Sequence, residues 1–184
     1  ARMERPLILK AEPDSRPVSE DLRRMLMELA ALTDKLTVEW TPPSDGPERP
    51  CVRVLRADGT DTGIAFHGVP GGHEFNSFVV GLYNAAGPGQ SIDPALAEAI
   101  AAIDRPLDLQ IVVALSCTMC PELVIAAQKI AASNPLVTAK VYDVNHFPEL
   151  RERYKIMSVP CLIINKAKVA FGKKTLGQLL ELLA

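Results

Sequence analysis

The chain has 184 residues, 48% of them hydrophobic and 23% charged, which is enough apolar material for one large or two small globular domains. A net charge of −2 without a basic stripe argues against nucleic acid binding, and no apolar run approaches the roughly 18 residues of a membrane span. The charged first residues do not resemble a signal peptide, and four cysteines are too few for a disulfide scaffold, so we expect a cytoplasmic protein.

The first half of the chain alternates predicted strands and helices. Apolar side chains recur at three to four residues after Pro17, which indicates an amphipathic helix, and a second helix is predicted after Gly71-Gly72. Asp58-Gly59 is typical of a hairpin turn between two alternating segments. Strands are predicted at 7–9, 36–40, 51–55 and 63–67.

Gly87-Pro88-Gly89 marks a candidate boundary, after which the order of elements repeats. Ser91 is predicted to cap a helix that carries Ile92, Leu96, Ile100 and Ile103 on one side. The predicted strands that follow lie at 108–114, 137–142, 162–164 and 168–171, and the predicted helices lie at 123–132, 147–154 and 175–183.

The repeated order of elements is accompanied by local sequence matches. Pro50-Cys51 corresponds to Pro160-Cys161, and the strand around Phe66 corresponds to the strand around Phe171. These matches indicate an internal duplication, with domains at 1–87 and 91–184. Each strand–helix–strand unit followed by a hairpin predicts a four-stranded mixed sheet with helices on its faces, which makes the fold class α/β.

A Cys-x-x-Cys pair, Cys117 and Cys120, lies between a predicted strand and a predicted helix. Two thiols at this spacing can form a disulfide, and this context is typical of dithiol–disulfide chemistry. The unpaired N–H groups and positive dipole end of the helix favour a thiolate at Cys117 and lower its pKa. Pro121 is tolerated in the first turn because its missing N–H would have no helical partner.

Other interpretations of these residues remain open from the sequence alone. A Cys-x-x-Cys can be half of a zinc site, although the remaining cysteines and the three histidines are scattered singly, or its thiols can be inert. Cys161 can be a third redox thiol or a small buried apolar residue. Glu74 in a first helical turn is favoured by the helix dipole without any catalytic role.

Cys117-x-x-Cys120 at a helix start, with Ser158-Val159-Pro160 before a strand, resembles the thioredoxin superfamily. The doubled arrangement, with Gly72-His73-Glu74-Phe75 in the half without the pair, resembles the N-terminal domain of the flavoprotein subunit of bacterial alkyl hydroperoxide reductase over essentially the whole chain. This resemblance implies two tandem thioredoxin-like folds, each a central mixed sheet with flanking helices, and only residues 91–184 carry the thiol pair.

The resemblance also implies a function, that of a dithiol–disulfide electron carrier. Such a domain passes reducing equivalents from a flavin- and NADH-dependent reductase module to the disulfide of a peroxiredoxin. By the match, Cys117 is the attacking thiol, Cys120 the resolving thiol, Pro160 a cis-proline that shapes the substrate-facing surface, and Glu74 an assistant in proton transfer. Thr118-Met119 stands where the family often has His-Asn.

The chain itself contains no Gly-x-Gly-x-x-Gly dinucleotide motif. FAD and NADH are therefore expected in a downstream or partner reductase module, and neither a cofactor nor a metal is expected in this chain. Two alternatives stand beside the carrier: a stand-alone glutaredoxin-like protein disulfide oxidoreductase, and a non-catalytic module that binds a metal or a partner.

Overall fold

One eight-stranded mixed sheet runs through the computed structural model, which describes residues 3–184. The strands are β1 (Leu7–Glu12), β2 (Leu36–Trp40), β3 (Cys51–Arg56), β4 (Asp61–His67), β5 (Leu107–Val113), β6 (Val137–Asp143), β7 (Cys161–Ile164) and β8 (Lys168–Phe171). The helices are α1 (Val18–Ala30), α2 (Glu74–Ala86), α3 (Pro94–Ala101), α4 (Cys120–Ser133), α5 (Pro148–Arg153) and α6 (Leu176–Leu183). Within residues 3–184, every helix is too short or too polar to cross a membrane.

The two halves of the sheet have the same internal order. The strands follow the sequence β2-β1-β3-β4 and then β6-β5-β7-β8. In each half the first two strands are parallel, because a helix returns the chain to the same end of the sheet, and the third and fourth strands form an antiparallel hairpin. The predicted α/β class with tandem thioredoxin-like folds is confirmed.

The two sheets that the sequence predicted are joined into one. β4 of the first half pairs in parallel with β6 of the second half, from Ile64 opposite Ala139 to His67 opposite Tyr142. The expectation of two separate four-stranded sheets is corrected by this pairing. The physical reason is that each half would otherwise leave the unpaired backbone groups of an edge strand exposed, and the pairing satisfies both edges at once.

One face of the sheet is covered by helices. Side chains that alternate along the strands pack under α1, α2, α4 and α6 in one continuous core, which includes Leu9, Val54, Phe66, Val141 and Ile111. The opposite face carries polar side chains over its centre, such as those of Arg53 and Lys140. Its second-half end is covered by a small cluster in which Ile156 and Leu150 pack against Val112 and Cys161.

The chain around the predicted boundary differs in detail from the sequence prediction. α3 begins at Pro94 and is capped by Asp93, whose side chain accepts a hydrogen bond of 2.8 Å from the N–H of Ala95. The prediction of Ser91 as the cap is wrong, because Asp93 directly precedes a proline, which is favoured at the first helical position. Residues 1 and 2, with which the predicted first domain begins, lie outside the described residues.

Candidate active site

The cysteine pair lies in the turn that connects β5 to α4. Cys117 and Cys120 form a disulfide, with their Cα atoms 5.6 Å apart. The chain leaves the sheet at Ala114, whose carbonyl oxygen accepts a hydrogen bond of 2.9 Å from the N–H of Cys117. Cys120 is the first residue of α4, and Pro121 occupies the first turn as the sequence predicted.

The two sulfur-bearing residues differ in exposure. Cys117 is partly exposed and Cys120 is fully buried, because α4 carries Cys120 down into the core between the sheet and α2. Thr118 and Met119, which separate them, are exposed. A macromolecular partner can therefore reach Cys117 and not Cys120.

The strand pairing brings Pro160 beside the cysteine turn. β7 runs antiparallel to β5 with Cys161 opposite Val112, so the residues that precede β7 lie next to the end of β5. The Val159–Pro160 peptide bond is cis, and the carbonyl oxygen of Val159 lies 4.0 Å from the Sγ of Cys117. Pro160 is buried, whereas Val159 is partly exposed.

Glu74 is the first residue of α2 and belongs to the half of the chain without the thiol pair. Its side chain is fully buried, and neither carboxylate oxygen has a protein hydrogen-bond partner. Burial raises the pKa of Glu74 to about 7, and the nearby hydroxyl of Ser77 opposes this rise only in part. A carboxyl group with this pKa exchanges its proton near neutral pH.

A glycine holds the start of α2 against the cysteine turn. Gly72 has a φ of 53°, and a Cβ atom at this position would lie 2.5 Å from the carbonyl oxygen of Leu115. The N–H of His73 donates a hydrogen bond of 3.0 Å to that same oxygen. Leu115 is only two residues from Cys117, so the beginning of α2 and the cysteine turn lie side by side.

α2 and α4 then run alongside each other from this common end. Gly81, two turns into α2, lies directly against the side chain of Gln128, two turns into α4. Glu74 and Cys120 therefore lie at the same end of the helix pair. The structure thus gathers all four predicted site residues at one end of this helix pair and of the sheet beneath it: Cys117, Cys120, Pro160 and Glu74.

Ser77 and Gln128 were not among the residues predicted from the sequence. Both are fully buried beside Glu74 and along the same helix pair. The signal for Gln128 was present, because it is a polar residue directly after the apolar Ala126 and Ala127 of α4. The glycine at position 81, in the middle of a helix, was a second signal of close helix approach.

The other two cysteines are free and buried. Burial, with the nearby Glu12 carboxylate, raises the pKa of Cys51 to about 12, and burial raises that of Cys161 to about 11. Both thiols are protonated at neutral pH and are poor nucleophiles. Cys161 packs as a small apolar side chain with Ile156 and Ile163.

The described chain offers little for a metal or a nucleotide cofactor. Among residues 3–184, no group of three or more His, Cys, Asp or Glu side chains is placed to hold a metal ion. The sequence has no Gly-x-Gly-x-x-Gly motif, and the strand-to-helix turn after β5, where a phosphate-binding loop can form, carries the cysteine pair instead. The residues present do not fit a bound FAD or NADH.

Comparison with known proteins agrees with this geometry. The Thioredoxin domain family model matches residues 107–184. The crystal structure of the NTD_N/C domain of the alkyl hydroperoxide reductase AhpF from Enterococcus faecalis superimposes with a TM-score of 0.93 and 36% identity, over 99% of this chain and 92% of that one.

Curated sequence relatives point to the same family. The AhpF protein of alkyl hydroperoxide reductase from Pseudomonas aeruginosa is 31% identical over 96% of this chain and 33% of its own length. A protein named NADH dehydrogenase from Ferdinandcohnia aciditolerans is 31% identical over 97% of this chain and 34% of its own length. The chain thus spans about a third of the curated relatives that it matches. A thioredoxin fold with a disulfide-forming cysteine pair and these relatives place the chain in the alkyl hydroperoxide reductase AhpF family, as its N-terminal thiol–disulfide oxidoreductase domain.

Proposed function

We propose that this domain carries electron pairs from a flavin- and NADH-dependent reductase module to the disulfide of a peroxiredoxin, in the reducing cytoplasm. The observation that carries the proposal is the pairing of one accessible and one buried cysteine beside a cis-proline. The alkyl hydroperoxide reductase relatives support it, since this chain matches a third of their length.

In the reduced domain, the thiolate of Cys117 attacks one sulfur of the partner disulfide. A bond forms between Cys117 and that sulfur, and the other partner sulfur leaves as a thiolate. Cys120 then attacks the sulfur of Cys117 and expels the second partner thiolate. Two electrons pass to the partner, and the Cys117–Cys120 disulfide that remains is reduced again by a dithiol of the reductase module.

The helix dipole and the exposure of the two cysteines support this division of roles. Cys117 precedes the N-terminal end of α4, where the first-turn N–H groups and the helix dipole stabilise a thiolate. Cys120 is buried and can attack only a sulfur that is already held at Cys117. The partly exposed Val159 and the cis-Pro160 beside it form the wall against which a partner segment would lie.

Glu74 is proposed to move the proton of Cys120. A buried thiol must lose its proton before it attacks, and bulk water does not reach Cys120. The carboxylate of Glu74, at the same end of the α2–α4 pair, can accept that proton and return it when the disulfide is next reduced. This role gives a reason for the half of the chain without thiols, proposed as a domain at 1–87, because it supplies an acid–base group to the domain at 91–184.

Single-thiol variants test the proposal directly. Reduced Cys120→Ser is expected to form a stable mixed disulfide with an oxidised peroxiredoxin, because Cys117 attacks and nothing resolves the product. Cys117→Ser is expected to form none and to transfer no electrons. Intact-mass spectrometry of the non-reduced mixture measures both results, with Cys51→Ala as a control that transfers electrons like the wild type. A Cys117→Ser variant that still reduces peroxiredoxin would refute the assignment.

A further inference from the structure

Buried polar atoms without partners are concentrated in one place. Among residues 3–184, seven buried side-chain nitrogen or oxygen atoms have no protein hydrogen-bond partner, and five of them belong to Glu74, Ser77 and Gln128. They are both carboxylate oxygens of Glu74, the hydroxyl of Ser77 and both amide atoms of Gln128. We call the region lined by Glu74, Ser77, Gly81 and Gln128 the α2–α4 seam.

The seam is continuous along the two helices. Glu74, Ser77 and Gly81 lie on successive turns of one face of α2, because positions three, four and seven apart share a helix face. A Cβ atom at Gly81 would lie 2.6 Å from the Oε1 atom of Gln128. The missing side chain at Gly81 therefore leaves the space that the Gln128 amide fills, in line with Ser77 and Glu74.

The composition of the seam is that of a water-binding site. All three polar side chains are fully buried, and the hydroxyl and the amide each offer both a donor and an acceptor. A buried polar atom without a partner destabilises a fold, and ordered water is the usual partner of such atoms in native proteins. A water molecule held here has the two to four polar partners that it needs.

We propose that the α2–α4 seam binds ordered water, and that Gln128 is a positioning residue that stabilises the ionised carboxyl of Glu74 through this water. The inference deepens the proposed function, on which its chemical consequence rests. When Cys120 prepares to attack, its S–H bond breaks and an O–H bond forms on Glu74, so the negative charge moves from the carboxylate to the sulfur. That transfer requires the carboxylate form, which a hydrogen-bonded water molecule favours over the neutral acid.

The charged groups around α2 leave this role to the seam. On α4, Glu122 lies near Lys173, and the Nζ of Lys129 donates a hydrogen bond to the carbonyl oxygen of Gln90. Burial, opposed by Ser77, accounts for the Glu74 pKa without a contribution from any neighbouring charge. The remaining titratable groups on α2 and on the elements packed against it are His73, Tyr83, Lys10, Glu12, Cys51, Arg53, Arg56, Asp61, His67 and the cysteine pair.

Titration of Glu74 by NMR tests the role of Gln128 on this chain alone. With glutamate labelled at its side-chain carboxyl carbon, the chemical shift of Glu74 is followed against pH in the wild type and in Gln128→Leu. The midpoint is expected to rise by about half a pH unit or more, because the carboxylate loses a water-mediated partner. Gly81→Ala, which displaces the amide of Gln128 without removing it, is expected to raise the midpoint in the same direction.

A matched control is available within the chain. Gln110 is also a buried glutamine with an unpaired oxygen, but it lies on β5 outside the seam, so Gln110→Leu is expected to leave the Glu74 midpoint unchanged. Near-ultraviolet circular dichroism confirms that each variant is folded, and Gly81→Ala and Ser77→Ala carry the test if Gln128→Leu does not fold.

Two results would overturn the inference. One is a Glu74 midpoint in folded Gln128→Leu or Gly81→Ala that equals that of the wild type. The other is a high-resolution crystal structure of this chain in which no water lies between Glu74 and Gln128. Neither result depends on a peroxiredoxin, so failure of the seam and failure of the electron-carrier proposal remain distinguishable.

Discussion

At the scale of single residues, the site consists of cysteines in contrasting environments. Cys117 is partly exposed ahead of a helix N-terminus, whereas Cys120 is buried within the first turn of that helix. Cys51 and Cys161 are buried with raised pKa values, which removes them from thiolate chemistry. Exposure and position, rather than the number of thiols, determine which cysteine can attack a partner.

Glu74 gives a prediction for stability against pH. Its ordinary pKa is 4.5, and burial raises the folded-state value to about 7, so between these values the folded state binds more protons than the unfolded state. Its contribution to stability is complete below pH 4.5 and is lost as the pH rises through 7. Relative to Glu74→Gln, the free energy of unfolding of the oxidised wild type should fall by about 2–3 kcal/mol between pH 5 and pH 8.

Urea denaturation of both proteins at the two pH values measures this difference. The glutamine variant is the matched control, because it keeps the shape of the side chain and cannot ionise. Parallel pH dependences for the two proteins would show that Glu74 is already ionised in the folded state, and would remove the reason to assign it a proton-transfer role near neutral pH.

The residues of the site were predictable to different degrees. Spacing and context alone pointed to Cys117 and Cys120, because a Cys-x-x-Cys between a strand and a helix has few other uses. Glu74 and Pro160 came only from the family resemblance, since their place beside the pair depends on contacts across the fold. Gln128 was missed because periodicity places it on a helix face but does not show what lies opposite.

At the scale of elements, the site depends on how α2 meets the cysteine turn. Gly72 allows this contact through its positive φ and through its lack of a Cβ atom, which would lie 2.5 Å from the carbonyl oxygen of Leu115. Gly72→Ala is expected to lower the free energy of unfolding by about 2–4 kcal/mol, because a left-handed backbone and a backbone clash add together. It should also slow electron transfer by moving Glu74 away from Cys120.

Two other glycines separate these causes. Gly59 has a φ of 86° with open space around its Cβ position, so Gly59→Ala should cost only about 1–2 kcal/mol, from the backbone alone. Gly46 has neither feature, and Gly46→Ala should change stability by less than about 0.5 kcal/mol. Chemical denaturation ranks the three variants, and a Gly72→Ala protein as stable as Gly46→Ala would contradict the close contact.

The elements themselves were largely predictable, because hydrophobic periodicity reports which side of a segment is buried. The predicted strands correspond to β1–β8, and the predicted helices to α1–α6, with shifts at their ends. The cap of α3 was misplaced from Asp93 to Ser91, since both residue types cap helices and only the contact with Ala95 distinguishes them.

At the scale of the whole molecule, the two halves are joined more closely than a linker requires. β4 and β6 share backbone hydrogen bonds, and α2 packs along α4. Arg16, in the segment where the first half lacks its cysteine pair, donates hydrogen bonds of 2.7 Å to the carbonyl oxygen of His146 and 2.5 Å to that of Arg49. The sequence predicted the two repeats but not their union, because it depends on edges that are far apart along the chain.

This union predicts how the molecule unfolds. Because the halves share one sheet and one core, residues 1–87 and 91–184 are expected to unfold together in a single transition. Differential scanning calorimetry of the oxidised chain should give one peak, with equal calorimetric and van't Hoff enthalpies. Two resolved peaks, or a fragment 91–184 as stable as the intact chain, would show that the halves are independent domains.

The central claim is that Cys117 and Cys120 act as one two-electron couple, and a redox titration tests it most directly. The native chain is equilibrated over a graded series of reduced and oxidised dithiothreitol, alkylated, and mapped by peptide mass spectrometry. We expect the thiols of Cys117 and Cys120 to appear together along a two-electron Nernst curve, while the buried Cys51 and Cys161 stay unlabelled in the native protein. A pair that titrates separately, or that stays unchanged across the series, would contradict the proposed electron carrier.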